Sequence, residues 1–117
     1  MFEDFSAKAR AVVSSARMEA SRRGADRIEP EHLLLGLERE EKHVTAQFLE
    51  EHPELEALRD YLNPAAAPWG KLAGRADMPL TPASREALTA ASNHAAAHHK
   101  PVETRDLLRA LLMVARA

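Results

Sequence analysis

Residues 28–37 read Ile-Glu-Pro-Glu-His-Leu-Leu-Leu-Gly-Leu, and residues 102–111 read Val-Glu-Thr-Arg-Asp-Leu-Leu-Arg-Ala-Leu. The two stretches share a glutamate at the second position and leucines at the sixth, seventh and tenth. A second, shorter match precedes the two stretches. Phe5-Ser6, before the first stretch, aligns with Leu80-Thr81, 75 residues later and before the second. Internal repetition decides how the rest of a chain is read, since each copy forms one structural unit. The duplication favours a paired-repeat binding module over an enzyme.

The composition excludes several classes of protein. The chain has 117 residues, enough for one domain, with 45% hydrophobic and 29% charged residues and a net charge of -2. The sequence contains no basic stripe that alternates with aromatic residues, so nucleic-acid binding has little support. The absence of cysteine excludes disulfides, thiolate catalysis and cysteine-bound zinc, and it fits a reducing compartment. The acidic N-terminus is unlike a signal peptide and no long apolar run follows, so we expect a cytoplasmic protein without a membrane segment.

Apolar spacing predicts an all-α fold. The first helix is expected over residues 6–23, with Ser6 as its N-cap and Gly24 as its left-handed end. A second helix is expected to begin at Pro30, because proline is favoured at the first helical position. Residues spaced by three and four positions form the buried stripe of the first helix: Ala9, Val12, Val13, Ala16 and Ala20.

Further helices are predicted on either side of a linker. A third covers residues 44–50 and a fourth begins at Pro53, whereas residues 63–79 contain three prolines and two glycines and are predicted to be a linker. Trp69, within this linker, is expected to pack it against the helices rather than to stack on a ligand. Thr81 is the predicted N-cap of a fifth helix ending near His98, and a sixth begins near residue 103 or 104.

The two copies are unequal in length. Residues 1–62 form the first repeat, residues 63–79 the linker and residues 80–117 a partial second repeat within one domain. The second copy lacks the equivalent of the third and fourth helices. We therefore expect uncovered apolar surface on its two helices, to be covered by the linker, a second copy of the chain or a partner.

The repeated segments resemble the Clp N-terminal repeat, the substrate-receiving domain that precedes the ATPase rings of Hsp100/Clp unfoldases. The resemblance rests on residues 1–10, on residues 28–37 and on Leu80-Thr81-Pro82. It implies an all-α, pseudo-twofold fold of two repeats, here with the second shortened. No phosphate-binding loop is present, because Gly70-Lys71 continues into Leu72, so ATP hydrolysis by that route is excluded. The chain is either a stand-alone module or a piece of a larger protein.

The resemblance also implies candidate binding residues. Some similar domains bind phosphorylated arginine through the Ser or Thr that opens each first helix and the Glu of the Glu-His-Leu-Leu motif. By position these are Ser6 and Glu31 in the first repeat and Thr81 in the second, where Arg105 replaces the glutamate. A cation there repels a guanidinium and attracts a phosphate or carboxylate. The resemblance thus implies one complete site in the first repeat and an altered second site, whereas N-capping by Ser6 and Thr81 and a favourable dipole interaction of Glu31 are the favoured interpretation of these residues.

No other grouping indicates catalysis. His94 and His98 are spaced to face one metal ion, but a solvated polar face is the favoured interpretation, and His32 is expected to pack or to hydrogen-bond to the chain. We expect no catalytic residue, metal or cofactor. The predicted function is a non-enzymatic module that binds substrates, adaptors or a Clp ATPase in protein quality control. The alternative is a self-associating structural or regulatory protein, a homodimer whose incomplete repeat is covered by a second chain.

Overall fold

Helices make up most of the described chain. The computed structural model describes residues 3–51 and 78–116, with side chains through residue 113. The helices are α1 (Ala7–Arg22), α2 (Pro30–Glu40), α3 (Lys42–Glu51), α4 (Pro82–Ala97) and α5 (Thr104–Arg116). Within these ranges no strand forms, and the all-α prediction is confirmed. The predicted fourth helix, and most of the predicted linker with Trp69, lie outside the described residues.

The first helix of each repeat is capped in the same way. Ser6 accepts a hydrogen bond at its Oγ from the backbone N–H of Ala9 (3.1 Å), and Thr81 accepts one at its Oγ1 from Ser84 (3.2 Å). Each hydroxyl satisfies a donor that the helix itself leaves unpaired. Both predicted N-caps are confirmed.

The same two helices end in the same turn. After α1, Ala25 donates its N–H to the carbonyl of Ala20 (2.9 Å) around Gly24, whose φ is 75°. After α4, Lys100 donates to Ala95 (3.1 Å) around His99, whose φ is 54°. Both are Schellman turns, which require a left-handed residue. Glycine adopts that conformation without a steric penalty and histidine does not, so only the first turn is unstrained.

A close crossing joins α1 to α2. A Cβ built on Gly36 would overlap the carbonyl oxygen of Val12 and lie 2.9 Å from the amide nitrogen of Ala16. The two backbones therefore touch where no side chain intervenes. In the second repeat Ala110 takes the place of Gly36 and is itself buried.

The buried core follows the predicted stripes. All five predicted apolar positions of α1 are buried, as are Leu88, Ala91 and Ala95 of α4. Leucines of α2 and α5 fill the centre, and the largest fully buried side chains of the core are Ile28, Leu33, Leu37, Leu88, Leu107 and Leu111. Each leucine shared by the two copies is thus buried in both.

Two isolated parallel bridges join the repeats. Phe5 pairs with Val102, and Ile28 pairs with Leu80. In the first bridge the N–H of Ser6 donates to Val102 (2.9 Å), and in the second the N–H of Thr81 donates to Ile28 (3.1 Å). Since Ser6 aligns with Thr81 and Val102 with Ile28, the two bridges are the same contact made twice. This equivalence is the structural basis of the pseudo-twofold arrangement.

The second helices of the two repeats begin with equivalent hydrogen bonds. The N–H of Glu29 donates to Nδ1 of His32 (2.9 Å), and the N–H of Glu103 donates to Oδ2 of Asp106 (2.9 Å). His32 is buried and accepts through an unprotonated nitrogen, which confirms its expected role. Burial lowers the pKa of His32 below its ordinary value of 6.5, and the Glu31 and Glu29 carboxylates oppose this only in part.

One apolar side chain of α5 is exposed. Met113 is 64% exposed, whereas Leu108 and Leu111 of the same helix are buried. Residues 5–51 contain three helices, and residues 80–116 contain two. Among the described residues Met18 of α1, in the first repeat, is also exposed (40%), so exposed apolar side chains occur in both repeats.

Substitution of Gly36 by alanine should destabilise the fold. The added methyl group collides with the α1 backbone, and forcing the helices apart costs about 1–3 kcal/mol, more than the helix propensity that alanine gains. Urea unfolding followed by circular dichroism measures the change. A G36A variant as stable as the wild type would show that the crossing has room for a side chain.

Replacement of His99 by glycine should stabilise the protein by about 0.5–1 kcal/mol, because the left-handed turn then loses its steric strain. Gly24→Ala, at the equivalent turn of the first repeat, is the matched control and should destabilise by a similar amount. Thermal unfolding of both variants compares the two turns. Equal melting temperatures for H99G and the wild type would contradict the strain.

Stability should depend on the protonation of His32. Its pKa is lowered in the folded state, so the unfolded chain binds the proton first as the pH falls through 6.5, and the free energy of unfolding decreases. Above that pH the His32 contribution is fully present. In His32→Asn this part of the pH dependence should disappear, while His43→Asn, which removes an exposed histidine, should keep it. Urea titrations between about pH 7.5 and pH 5 measure the difference.

Candidate functional site

The predicted binding residues lie at four helix starts, which the two bridges bring together in pairs. The bridge between Ile28 and Leu80 places the start of α4 beside the start of α2. The bridge between Phe5 and Val102 places the start of α1 beside the start of α5. Each pair therefore combines the first helix of one repeat with the second helix of the other.

This pairing changes the grouping expected from the sequence. Glu31 shares its pair with Thr81, and Ser6 shares its pair with Arg105, whereas the sequence suggested that Ser6 and Glu31 form one complete site within the first repeat. Backbone pairing between the repeats is the reason, because the segment before each second helix hydrogen-bonds to the other repeat. Both candidate sites are composite, and neither belongs to a single repeat.

At the first pair, an exposed carboxylate lies beside a buried hydroxyl. Glu31 is exposed in the first turn of α2. Thr81 is only 9% exposed, and its hydroxyl donates to Ser84 Oγ (3.1 Å), which in turn donates to the carbonyl of Ile28 (2.8 Å). The Thr81 hydroxyl is therefore engaged in holding the two helix starts together. Glu31 is the group of this pair that can meet a ligand.

At the second pair, the position equivalent to Glu31 carries a positive charge. Arg105 is exposed in the first turn of α5 and makes a long hydrogen bond through Nη2 to Oε1 of Gln47 on α3 (3.5 Å). Ser6 is half-buried and caps α1. An exposed guanidinium at this pair stands where the first pair has an exposed carboxylate, and the exposed Glu103 lies two residues before it.

The two pairs also differ in their backbone donors. In the pair that contains Glu31, both helices begin with proline, Pro30 and Pro82, which have no N–H. In the pair that contains Arg105, the corresponding residues are Ala7 and Thr104, which keep that donor. Helix N-terminal N–H groups bind anions. The Arg105 pair is thus better suited to a phosphate or carboxylate and the Glu31 pair to a cation.

The histidines of α4 belong to a polar cluster with α5. The rings of His94 and His98 lie 4.7 Å apart, and Nε2 of His94 accepts a hydrogen bond from Arg109 Nη1 (2.7 Å). Asp106 lies 3.9 Å from the same nitrogen and pairs with Lys100 (3.5 Å). Among the described residues, no group of three or more His, Cys, Asp or Glu is placed to hold a metal ion. The cluster links α4 to α5.

A groove between α3 and α5 was not identified from the sequence. We call it the α3–α5 groove; its cavity volume is about 320 Å³. The residues that line it are Val44, Gln47, Phe48 and Glu51 of α3 and Arg105, Leu108, Arg109, Leu112 and Met113 of α5. Because the second repeat lacks equivalents of the third and fourth helices, uncovered apolar surface on α5 was expected. No feature of the sequence indicated that α3 of the first repeat forms the other wall.

None of the helices in the described ranges is long and apolar enough to cross a membrane. Comparison of the sequence with curated proteins returns no match. Among solved structures, the chain is similar to the N-terminal domain of the caseinolytic protease associated chaperone ClpD from Arabidopsis thaliana. That match has a TM-score of 0.68 and 20% identity, and it covers 97% of this chain and 79% of the other. At this identity the likeness shows the fold.

The sequence itself matches a family described as the Clp repeat N-terminal domain, over residues 4–116. The match spans both repeats, and the structure joins them through two equivalent bridges. The chain is a member of the Clp N-terminal repeat family.

Proposed function

We propose that the chain is a non-enzymatic module that binds substrate or adaptor proteins for a Clp-type unfoldase. The observation that carries the proposal is the exposed Glu31 carboxylate at the paired starts of α2 and α4, within a domain of this family. The helix starts at Glu31 and Thr81 form the candidate binding surface, and Ser6 lies at the other pair, beside Arg105. The family association makes proteins the relevant class of partner.

The geometry supports recognition of an arginine side chain at Glu31. A carboxylate binds a guanidinium through two parallel hydrogen bonds, and such charge-assisted pairs are stronger than neutral ones. An acidic side chain in the first turn of a helix interacts favourably with the helix dipole, so Glu31 needs no partner residue to be stable at this position. Thr81 contributes by fixing α4 against Ile28, so that the carboxylate projects from a rigid base.

Phosphoarginine is the second candidate ligand at the same carboxylate. Its guanidinium can pair with Glu31, but its phosphate needs donors. The prolines at the first positions of α2 and α4 remove two of these from the pair. The donors and the cation that suit a phosphate lie at the other pair, around Arg105. Recognition of an unmodified arginine is therefore favoured over recognition of the phosphorylated form.

Removal of the Glu31 charge should weaken the binding of arginine-containing peptides. Loss of a charge-assisted hydrogen bond corresponds to about 1.5–3 kcal/mol, or about tenfold or more in Kd. Fluorescence anisotropy of a labelled arginine peptide with wild type and Glu31→Gln measures it, and a citrulline peptide removes the ligand's charge. Glu86→Gln, at an exposed acid of α4, is the matched control and should bind like the wild type.

The phosphoarginine form of the same peptide separates the two ligands. Weaker binding of this form than of the unmodified peptide is expected. Much tighter binding that is lost in Glu31→Gln would identify phosphoarginine as the ligand instead. Equal affinity of wild type and Glu31→Gln for all three peptides would exclude this site.

A further inference from the structure

The α3–α5 groove combines an apolar floor with a cationic edge. Its floor contains Val44, Phe48, Leu108, Leu112 and Met113. Leu108 is buried, Phe48 and Leu112 are half-buried and Met113 is 64% exposed, so the floor becomes more open toward the end of α5. A volume of about 320 Å³ accommodates a few side chains. Apolar surface of this kind is where one or two hydrophobic side chains of a ligand are desolvated.

Two arginines on α5 form the edge of the groove. Arg105 and Arg109 are four residues apart, one helical turn, and both are exposed. Their hydrogen-bond partners are an amide oxygen of Gln47 (3.5 Å) and the imidazole of His94 (2.7 Å). Within residues 3–51 and 78–113, no carboxylate makes an ion pair with either guanidinium. The Asp106 carboxylate lies 3.9 Å from the His94 nitrogen that Arg109 contacts, and it makes its ion pair with Lys100. The edge therefore presents two guanidinium groups that are not in ion pairs with described carboxylates.

The pair of arginines is particular to this helix. The equivalent positions of α2 carry Glu31 and Leu35, and Leu35 is buried. Within the groove the one acidic residue is Glu51, at the end of α3. Two cations against one acid give the groove a net preference for negative groups. A ligand with carboxylates one helical turn or two strand residues apart would meet both guanidinium groups.

We infer that the α3–α5 groove binds an acidic, apolar peptide segment of a partner protein. Hydrophobic side chains of the segment lie on the floor beside Leu112 and Met113, and its carboxylates pair with Arg105 and Arg109. The groove is distinct from the Glu31 site, which prefers a cation. The inference does not depend on recognition of arginine at Glu31, because the two surfaces use different residues and opposite charges.

The test uses a labelled peptide of alternating leucine and glutamate and a second peptide in which glutamine replaces every glutamate. Fluorescence anisotropy should show binding of the acidic peptide and weakening by about tenfold or more in the double variant R105Q/R109Q. Binding should also weaken as the salt concentration rises, because exposed charges are screened. The glutamine peptide should bind more weakly than the acidic peptide and should not distinguish the double variant from the wild type.

The matched control is K8Q/R85Q, which removes two exposed cations of α1 and α4 that do not line the groove. It should bind the acidic peptide like the wild type. An equal loss in this control would show attraction to overall charge and overturn the inference, as would equal affinity of the two peptides. Melting temperatures confirm that each variant is folded.

A second copy of the chain is the competing occupant. Met113→Asp introduces an acid on the exposed floor, and in the peptide experiment it should weaken binding of the acidic peptide. Light scattering at high protein concentration gives the oligomeric state. A dimer that is lost in Met113→Asp, together with no binding of the acidic peptide, would assign the groove to self-association and overturn the inference. A monomer that binds the acidic peptide supports it.

Discussion

The backbone pairing between the repeats is the constraint on which the rest of the structure depends. Two backbone hydrogen bonds at each bridge, which include those from Ser6 to Val102 and from Thr81 to Ile28, fix which helix starts meet. Buried backbone groups must be paired, so these contacts specify the relative position of the repeats as well as contributing to stability. Because each bridge joins the first helix of one copy to the second helix of the other, a change in either copy affects both candidate sites.

The pairing explains how two similar sequences produce unlike surfaces. At one pair the exposed group is Glu31, and at the other it is Arg105. The caps that hold these helix starts are nearly interchangeable: His32 and Asp106 accept the same backbone hydrogen bond. The two second helices therefore begin with the same backbone hydrogen bond, whereas their exposed side chains, Glu31 and Arg105, carry opposite charges. In the proposed sites, the ligand preference follows from one exposed side chain at each pair and from the prolines beside Glu31.

Local features could be predicted from the sequence, and contacts between distant elements could not. Ser6, Thr81 and Gly24 act within one helical turn, and the spacing of Val12 and Ala16 identifies a buried face without reference to a partner. Nothing in a helical pattern says which helix ends meet, so the grouping of Glu31 with Thr81 required the structure. The α3–α5 groove was hidden for the same reason, since its walls come from different repeats.

Arg105 interacts unfavourably with the dipole of its own helix, which supports a role in ligand binding rather than in stability. A cation in the first helical turn faces the positive end of the dipole and is disfavoured by about 0.3–1 kcal/mol, whereas Glu31 at the equivalent position is favoured by a similar amount. Asp106, the next residue, offsets that cost by accepting from Glu103 and pairing with Lys100. An acid would serve α5 better than an arginine at this position. The fold thus tolerates the guanidinium, and recognition of a negative ligand gives a physical reason for its presence.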